Sequence, residues 1–280
     1  MFLPKISVLV ILLALLSGCG SSSTGPAAIK QPEPLPSPSP SPQPGEEALE
    51  PASAPYDVQA YQAVIDDAYL QAPTSTKLIA HGDFDGQYNQ YFFIPKQGNA
   101  WMTFRVSGDH KRSELRQISE WYVNDANYVY QLSGEVKIID PLAESVDEIT
   151  FMQIHDVTKN SNAINKPLLR VVWLRERSGI QNNYWAVIKA NACLECSEYD
   201  KIPLGAYSAD EVANIQITVK NSRMSIAFND QVNPQIDEYD ISYWDHLESY
   251  FKAGVYNQTD GTATVQFKSL NFLKIPINNN

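Results

Sequence analysis

Apolar residues along this chain change period twice. From Ile6 to Leu16 they run almost unbroken, with Lys5 before them and Leu16-Ser17-Gly18-Cys19 after. Such a run is too short to span a bilayer and has the form of a signal peptide. From Gly20 to about Pro55 apolar residues thin out, and Ser, Pro, Gly, Ala and Glu dominate, as in Pro36-Ser37-Pro38-Ser39-Pro40. This stretch has too little apolar surface to fold and is expected to be an extended tether. From Asp57 to about Leu70, Val58, Tyr61, Val64, Ile65 and Ala68 recur at helical spacing, which predicts a short N-terminal helix.

From Lys77 onward the period is two. Strands are expected at Tyr88–Pro95, Ala100–Val106, Lys111–Ile118, Tyr128–Ile139, Ile149–Val157 and Leu168–Leu174. Others are expected at Tyr184–Ala190, Val212–Lys220, Ser222–Asn229, Ser249–Asn257 and Ala263–Leu273. The breaks carry Gly, Asn, Asp and Pro, and Val219-Lys220-Asn221-Ser222-Arg223 reads as a tight hairpin. Many strands and one helix predict an all-β fold, an antiparallel β-jelly-roll sandwich with a cleft on the concave sheet. The chain therefore divides into a signal peptide (1–18), a lipidated cysteine with its tether (19–55) and one catalytic-size domain (56–280).

Composition adds the compartment. The residues before Cys19 resemble a bacterial lipobox, in which the cysteine is acylated and becomes the mature N-terminus. With Gly20 following, the pattern resembles outer-membrane sorting, so a lipid-anchored protein facing the periplasm or the cell surface is expected. The remaining cysteines, Cys193 and Cys196, are most simply a local disulfide outside the cytoplasm. Ligands for a zinc site at matching spacing are not found, and no metal or cofactor is expected. The net charge is −11, from 32 acidic and 21 basic residues, which argues against nucleic acid as a partner. It does not exclude a polyanion, because a cleft on an acidic protein can be locally basic.

Strand alternation then sorts candidate chemistry by face. In Tyr250-Phe251-Lys252-Ala253-Gly254-Val255-Tyr256-Asn257-Gln258, Phe251, Ala253 and Val255 face a core. Tyr250, Lys252, Gly254, Tyr256 and Gln258 face the other way, with Gly254 expected to let a ligand approach closely. Arg112, Glu114 and Arg116 share one side of their strand, and Gln153 and His155 share a side with Ile154 pointing inward. Each face alone reads as solvated surface.

Together the three segments closely resemble the signature motifs of polysaccharide lyase family 7, the alginate lyases. Arg112-Ser113-Glu114-Leu115-Arg116, Gln153-Ile154-His155 and Tyr250 to Gln258 stand in the family's order, and the resemblance covers about Lys77 to Leu273. Tyr184 to Lys189 and Tyr199-Asp200-Lys201 are also similar to the family. The resemblance implies a jelly roll that cleaves alginate by β-elimination. It implies catalytic roles for Arg112, Gln153, His155 and Tyr256, and substrate contacts from Arg116, Lys252, Gln258 and Tyr250. Glu114 is expected to orient Arg112 or Arg116. Tyr256 would act as acid, and as base if Arg112 or Lys252 lowers its pKa; His155 is the other candidate base. Ile154, where the family also uses Val, implies action on guluronate-containing or mixed blocks. The expected partners are alginate and, through the lipid, a membrane, with the protein itself a monomer.

Three other readings fit less well. A glycoside hydrolase needs a carboxylate pair, and these motifs offer only Glu114 between two arginines. A non-catalytic alginate-binding lipoprotein explains the cations but not His155 beside Tyr256. A lyase for another 4-linked polyuronate, such as glucuronan, is the nearest enzymatic rival.

Overall fold

The computed structural model describes residues 49–278. Cys19, the signal segment and most of the expected tether lie outside the described residues. In chain order the strands are β1 (Pro51–Ser53), β2 (Ala68–Gln71), β3 (Lys77–Ile79), β4 (Phe92–Pro95), β5 (Met102–Ser107) and β6 (Lys111–Gln117). They continue with β7 (Trp121–Tyr122), β8 (Tyr128–Ile139), β9 (Glu148–Asp156), β10 (Pro167–Arg177), β11 (Ile180–Lys189) and β12 (Tyr199–Ala206). The last are β13 (Ala213–Lys220), β14 (Arg223–Phe228), β15 (Gln231–Val232), β16 (Tyr239–Asp240), β17 (Glu248–Asn257) and β18 (Thr262–Pro276). Among the described residues a single α-helix, α1 (Gln59–Ile65), precedes β2.

The strands form two nine-stranded antiparallel sheets. One runs β1-β4-β5-β18-β8-β13-β14-β15, with β16 on β14. The other runs β12-β11-β10-β9-β17-β6-β2-β3, with β7 on β17. Their inner faces make one core, to which Leu115, Ile154, Phe251, Ala253 and Val255 contribute fully buried side chains from the motif strands. Burying each large side chain is worth about 1.5–3 kcal/mol. This layer pins the register of β6, β9 and β17, because a one-residue slip would turn every core residue outward.

Several local expectations change. The helix ends at Ile65, and Ala68–Gln71 is a strand paired to β6. Asp66 caps the helix, and the Asp67 carboxylate takes Gln117 Nε2 at 2.8 Å and Ser119 N at 3.1 Å. The chain therefore turns there, and Ala68 and Leu70 stay buried by alternation rather than by helical spacing. Tyr88–Pro95 is strand only from Phe92, because the Asn89 side chain accepts Tyr91 N and Phe92 N in a local turn. Pro51–Ser53, expected inside the tether, pairs with β4, and Leu49 O accepts Arg105 Nη1 at 2.8 Å. The folded unit thus begins before residue 56. The hairpin joining β13 and β14 turns through Asn221 and Ser222, both at positive φ, as a two-residue turn of the primed type requires.

Candidate active site

The three motif strands are neighbours in the order β9-β17-β6, so residues far apart in sequence sit side by side. One lateral row runs Tyr69, Arg116, Lys252, Gln153 and Arg170 across β2, β6, β17, β9 and β10. Tyr250 stands opposite His155, and Tyr256 stands between Arg112 and Thr150. Thr150 and Gln153 differ in parity, yet both lie on the outer face. An irregularity in β9 at Phe151 and Met152 puts both of these side chains into the core and resets the alternation.

Glu114 is the hub of the site. Its side chain is 1% exposed and accepts Lys252 Nζ at 2.5 Å, Arg112 Nη1 at 3.3 Å and Gln153 Nε2. A buried carboxylate needs such compensation. Glu114 thereby orients Arg112, while Arg116 pairs instead with Glu120 at 2.7 Å. Lys252 is also buried, and desolvation pushes its ammonium down to about 8 against the pull of Glu114. Its Nζ is turned to Glu114 beneath the outer face, so it supports Glu114 rather than presenting a cation to a ligand. Gln258 faces sideways, where its Oε1 accepts Thr150 Oγ1 at 2.8 Å and Arg170 Nη1. Gly254, at φ +146°, is required by a close backbone approach rather than by a ligand. A Cβ there would stand 2.2 Å from Ser113 O.

His155 stacks on Tyr250, with ring centroids 5.7 Å apart and planes 20° from parallel. Arg116 lies over the same Tyr250 ring, its Cζ 3.6 Å from the centroid. Burial pushes the Tyr250 phenol up to about 12, partly offset by Arg116. His155 Nδ1 is 3.0 Å from Asp156 O and 3.1 Å from Asp156 Oδ1. Tyr256 is half-buried, with Arg112 Cζ 4.4 Å above its ring. Burial raises its phenol pKa, the Arg112 charge opposes this, and Glu114 adds to the rise. The net shift is upward, opposite to the lowering on which a tyrosine base would depend. Among the described residues no cluster of His, Cys, Asp and Glu forms a metal donor set.

A family profile described as alginate lyase matches residues 65–275. The chain belongs to the alginate lyase family. An alginate lyase of Photobacterium sp. is 34% identical over 216 residues, covering 68% of this chain and 74% of that protein. The alginate lyase AlyC3 is 30% identical, with a TM-score of 0.72 over 79% of this chain and 95% of its own. AlyC3 has also been solved with dimannuronate. The family 7 alginate lyase A1-II', at 20% identity and TM-score 0.66 over 82% of this chain and 100% of its own, shares the fold.

Within this alginate lyase, further residues join the site that motif spacing did not single out. Arg170, paired to Glu148 at 2.7 Å, extends the lateral row beyond Gln153. In sequence it stands in an otherwise apolar run, Leu168 to Leu174, which was its only signal. Thr150 was hidden by the irregularity at Phe151 and Met152, and Asp156 by its position just outside the motif. Cys193 and Cys196 form a disulfide in the β11–β12 connection, where Cys196 O accepts the buried Lys189 Nζ at 2.7 Å. The arrangement offers cationic and amide donors at Arg112 and Gln153, a protonated phenol at Tyr256 and an imidazole at His155.

Proposed function

We propose that this alginate lyase acts on guluronate-containing and mixed blocks, with His155 as base and Tyr256 as acid. The observation that carries this reading is that His155 and Tyr256 stand on one face of the sheet as two separate groups, and burial raises the Tyr256 phenol, which keeps its proton available for a leaving oxygen. A second group must then take the C5 proton, and His155 is the imidazole on the same face of the sheet. In guluronate the proton and the departing O4 lie on opposite faces of the ring, which suits two separate groups. Arg112 and Gln153 neutralise the C5 carboxylate, so the electron pair left by the C5 proton spreads into it. That pair then forms the C4–C5 double bond, the C4–O4 bond breaks, and O4 takes the proton of Tyr256. On mannuronate Tyr256 would have to serve both roles, so slower cleavage is expected there.

The test is the initial rate on purified polyguluronate and polymannuronate for the full chain and for His155→Asn. The reading requires His155→Asn to lose polyguluronate activity by about a hundredfold, as loss of a general base does. Equal loss on both polymers, or none, would remove the base assignment. We also infer that acylation at Cys19 holds the enzyme on the outer membrane, with the Pro/Ser-rich segment as its tether. Cys19→Ala should abolish labelling by a fatty-acid analogue and release the enzyme from the membrane fraction.

A further inference from the structure

Asp156 follows the catalytic motif and belongs to no signature, yet it is one of the most fully bonded side chains in the molecule. It is completely buried at the end of β9. Its Oδ2 accepts Ile164 N at 2.7 Å and Asn165 N at 2.9 Å, and its Oδ1 accepts Lys166 N at 3.0 Å. The carboxylate thus gathers the far limb of the β9–β10 connection. Oδ1 also lies 3.1 Å from His155 Nδ1, and the Asp156 carbonyl oxygen lies 3.0 Å from the same nitrogen.

Nδ1 of His155 therefore faces two acceptors. It must carry hydrogen, for a bare ring nitrogen there would set its lone pair against both oxygens. In the neutral imidazole Nε2 is then unprotonated. The carboxylate itself stays ionised. Burial works against its charge, but the hydrogen bond and charge of His155, with the Asn165 and Ile164 N–H groups, hold it below the ordinary carboxylate range. An ionised acceptor is needed because a neutral amide would turn its own N–H toward one of these donors or toward Nδ1.

We propose that Asp156 is the positioning residue of the base: it fixes His155 in the Nδ1–H tautomer and leaves Nε2 to take the C5 proton. This rests on the assignment of His155 as base. The ring is held from its face by Tyr250 and from its edge by Asp156, so tautomer and orientation are set before substrate arrives. The same carboxylate ties the base to the segment from Val157 to Lys166. That segment is anchored elsewhere by Asn160 Nδ2 on Glu248 at 2.9 Å and by Lys159 on Glu120 at 2.5 Å.

The test uses the full chain labelled with 15N-histidine. Long-range proton–nitrogen correlation reports which ring nitrogen is protonated, and the His155 signals are those lost in His155→Ala. The wild type should show Nδ1–H with a bare Nε2 at a pH where the ring is neutral. In Asp156→Asn only the backbone carbonyl still accepts from Nδ1 and the amide can donate to it, so the share of the Nε2–H form should rise. In that variant kcat on polyguluronate should fall about a hundredfold or more while KM changes little. Asn160→Ala, which loosens the same segment without touching the carboxylate, should leave tautomer and kcat unchanged. Wild-type His155 carrying its proton on Nε2 would overturn the proposal whether or not Asp156→Asn folds. So would an unchanged tautomer in Asp156→Asn, or an equal change in Asn160→Ala. A switched tautomer with undiminished kcat would instead remove His155 as base, and with it the catalytic role of Asp156, while leaving the hydrogen-bond assignment standing.

Discussion

The guanidinium of Arg112 lies 4.4 Å above the ring of Tyr256, yet the phenol beneath it titrates above its ordinary value. Desolvation of the half-buried ring outweighs the cation, and Glu114 behind Arg112 cancels part of that charge. On the proposed mechanism Arg112 thus neutralises a substrate carboxylate without stripping Tyr256 of its proton. Tyr256→Phe keeps the ring under Arg112 and removes only the hydroxyl. The fold and KM should hold, and kcat should fall about a hundredfold or more. Steady-state rates of formation of unsaturated ends, followed by ultraviolet absorbance, check this. Near-normal kcat would take the acid role from Tyr256.

The sheet itself was legible because alternation in Tyr250 to Gln258 and in Arg112 to Arg116 is clean, and the core residues between them fixed the register. What alternation assigns is a face, not exposure. It placed Lys252 correctly on the polar face, where the fold sets it beside Gln153 and Arg116, but could not reveal that Glu114 draws its ammonium under the surface. Thr150 was lost for the opposite reason, since one irregularity at Phe151 and Met152 moves it to the other face. The N-terminal helix was overextended because Ala68 satisfies both a helical repeat after Val64 and a strand repeat with Leu70. The chain leaves the helix at Asp66, whose backbone N–H makes the last helical bond to Gln62 O, and the Asp67 carboxylate is drawn to Gln117.

Lys252 and Glu114 form the ion pair beneath the catalytic face. Lys252→Met leaves a buried carboxylate with only Arg112 and Gln153 as partners. Unfolding in urea should show a loss of about 3 kcal/mol, the scale for breaking a buried pair. Adding Glu114→Gln should recover part of that stability, since the charge that needed Lys252 is gone. Turnover should fall in both variants, because Glu114, which accepts the Gln153 amide, is no longer held in place by Lys252. Additive losses of stability in the double variant would refute the coupling.

Buried phenols predict an alkaline limit. Tyr207 and Tyr250 are pushed up to about 12, and Tyr130, Tyr184 and Tyr243 are raised further, with desolvation the largest cause in each. Above about pH 10 an unfolded chain releases these protons while the folded chain keeps them. The native state then binds more protons than the unfolded state, so stability falls as pH rises from about 10 toward 12. Below 10 both states hold the protons and the contribution is fully present. Urea midpoints at neutral pH and at about pH 11 should differ clearly, with the slope of the transition nearly constant. A flat profile across that window would mean that the phenols titrate together in both states.

The proposed block preference can be tested at Ile154, whose side chain faces the core. It is fully buried between Gln153 and His155, both of which project from the opposite face of β9. A change there can act only by altering how β9 sits on the core, and Gln153 and His155 ride on that strand. Ile154→Val deletes one methylene group, which should cost about 0.5–1.5 kcal/mol of stability. The local backbone settles toward the space left behind, and a shift of a fraction of an ångström at His155 matters more than at Tyr256 on the neighbouring strand. Cleavage that relies on His155 as a separate base should therefore suffer first. The expected result is a lower rate on polyguluronate with the rate on polymannuronate nearly unchanged, so that the ratio moves severalfold toward polymannuronate. Initial rates on the two purified polymers at equal uronate concentration measure that ratio. An equal drop on both would mean that Ile154 only stabilises the core, and strict polymannuronate specificity in the wild type would end the guluronate assignment altogether.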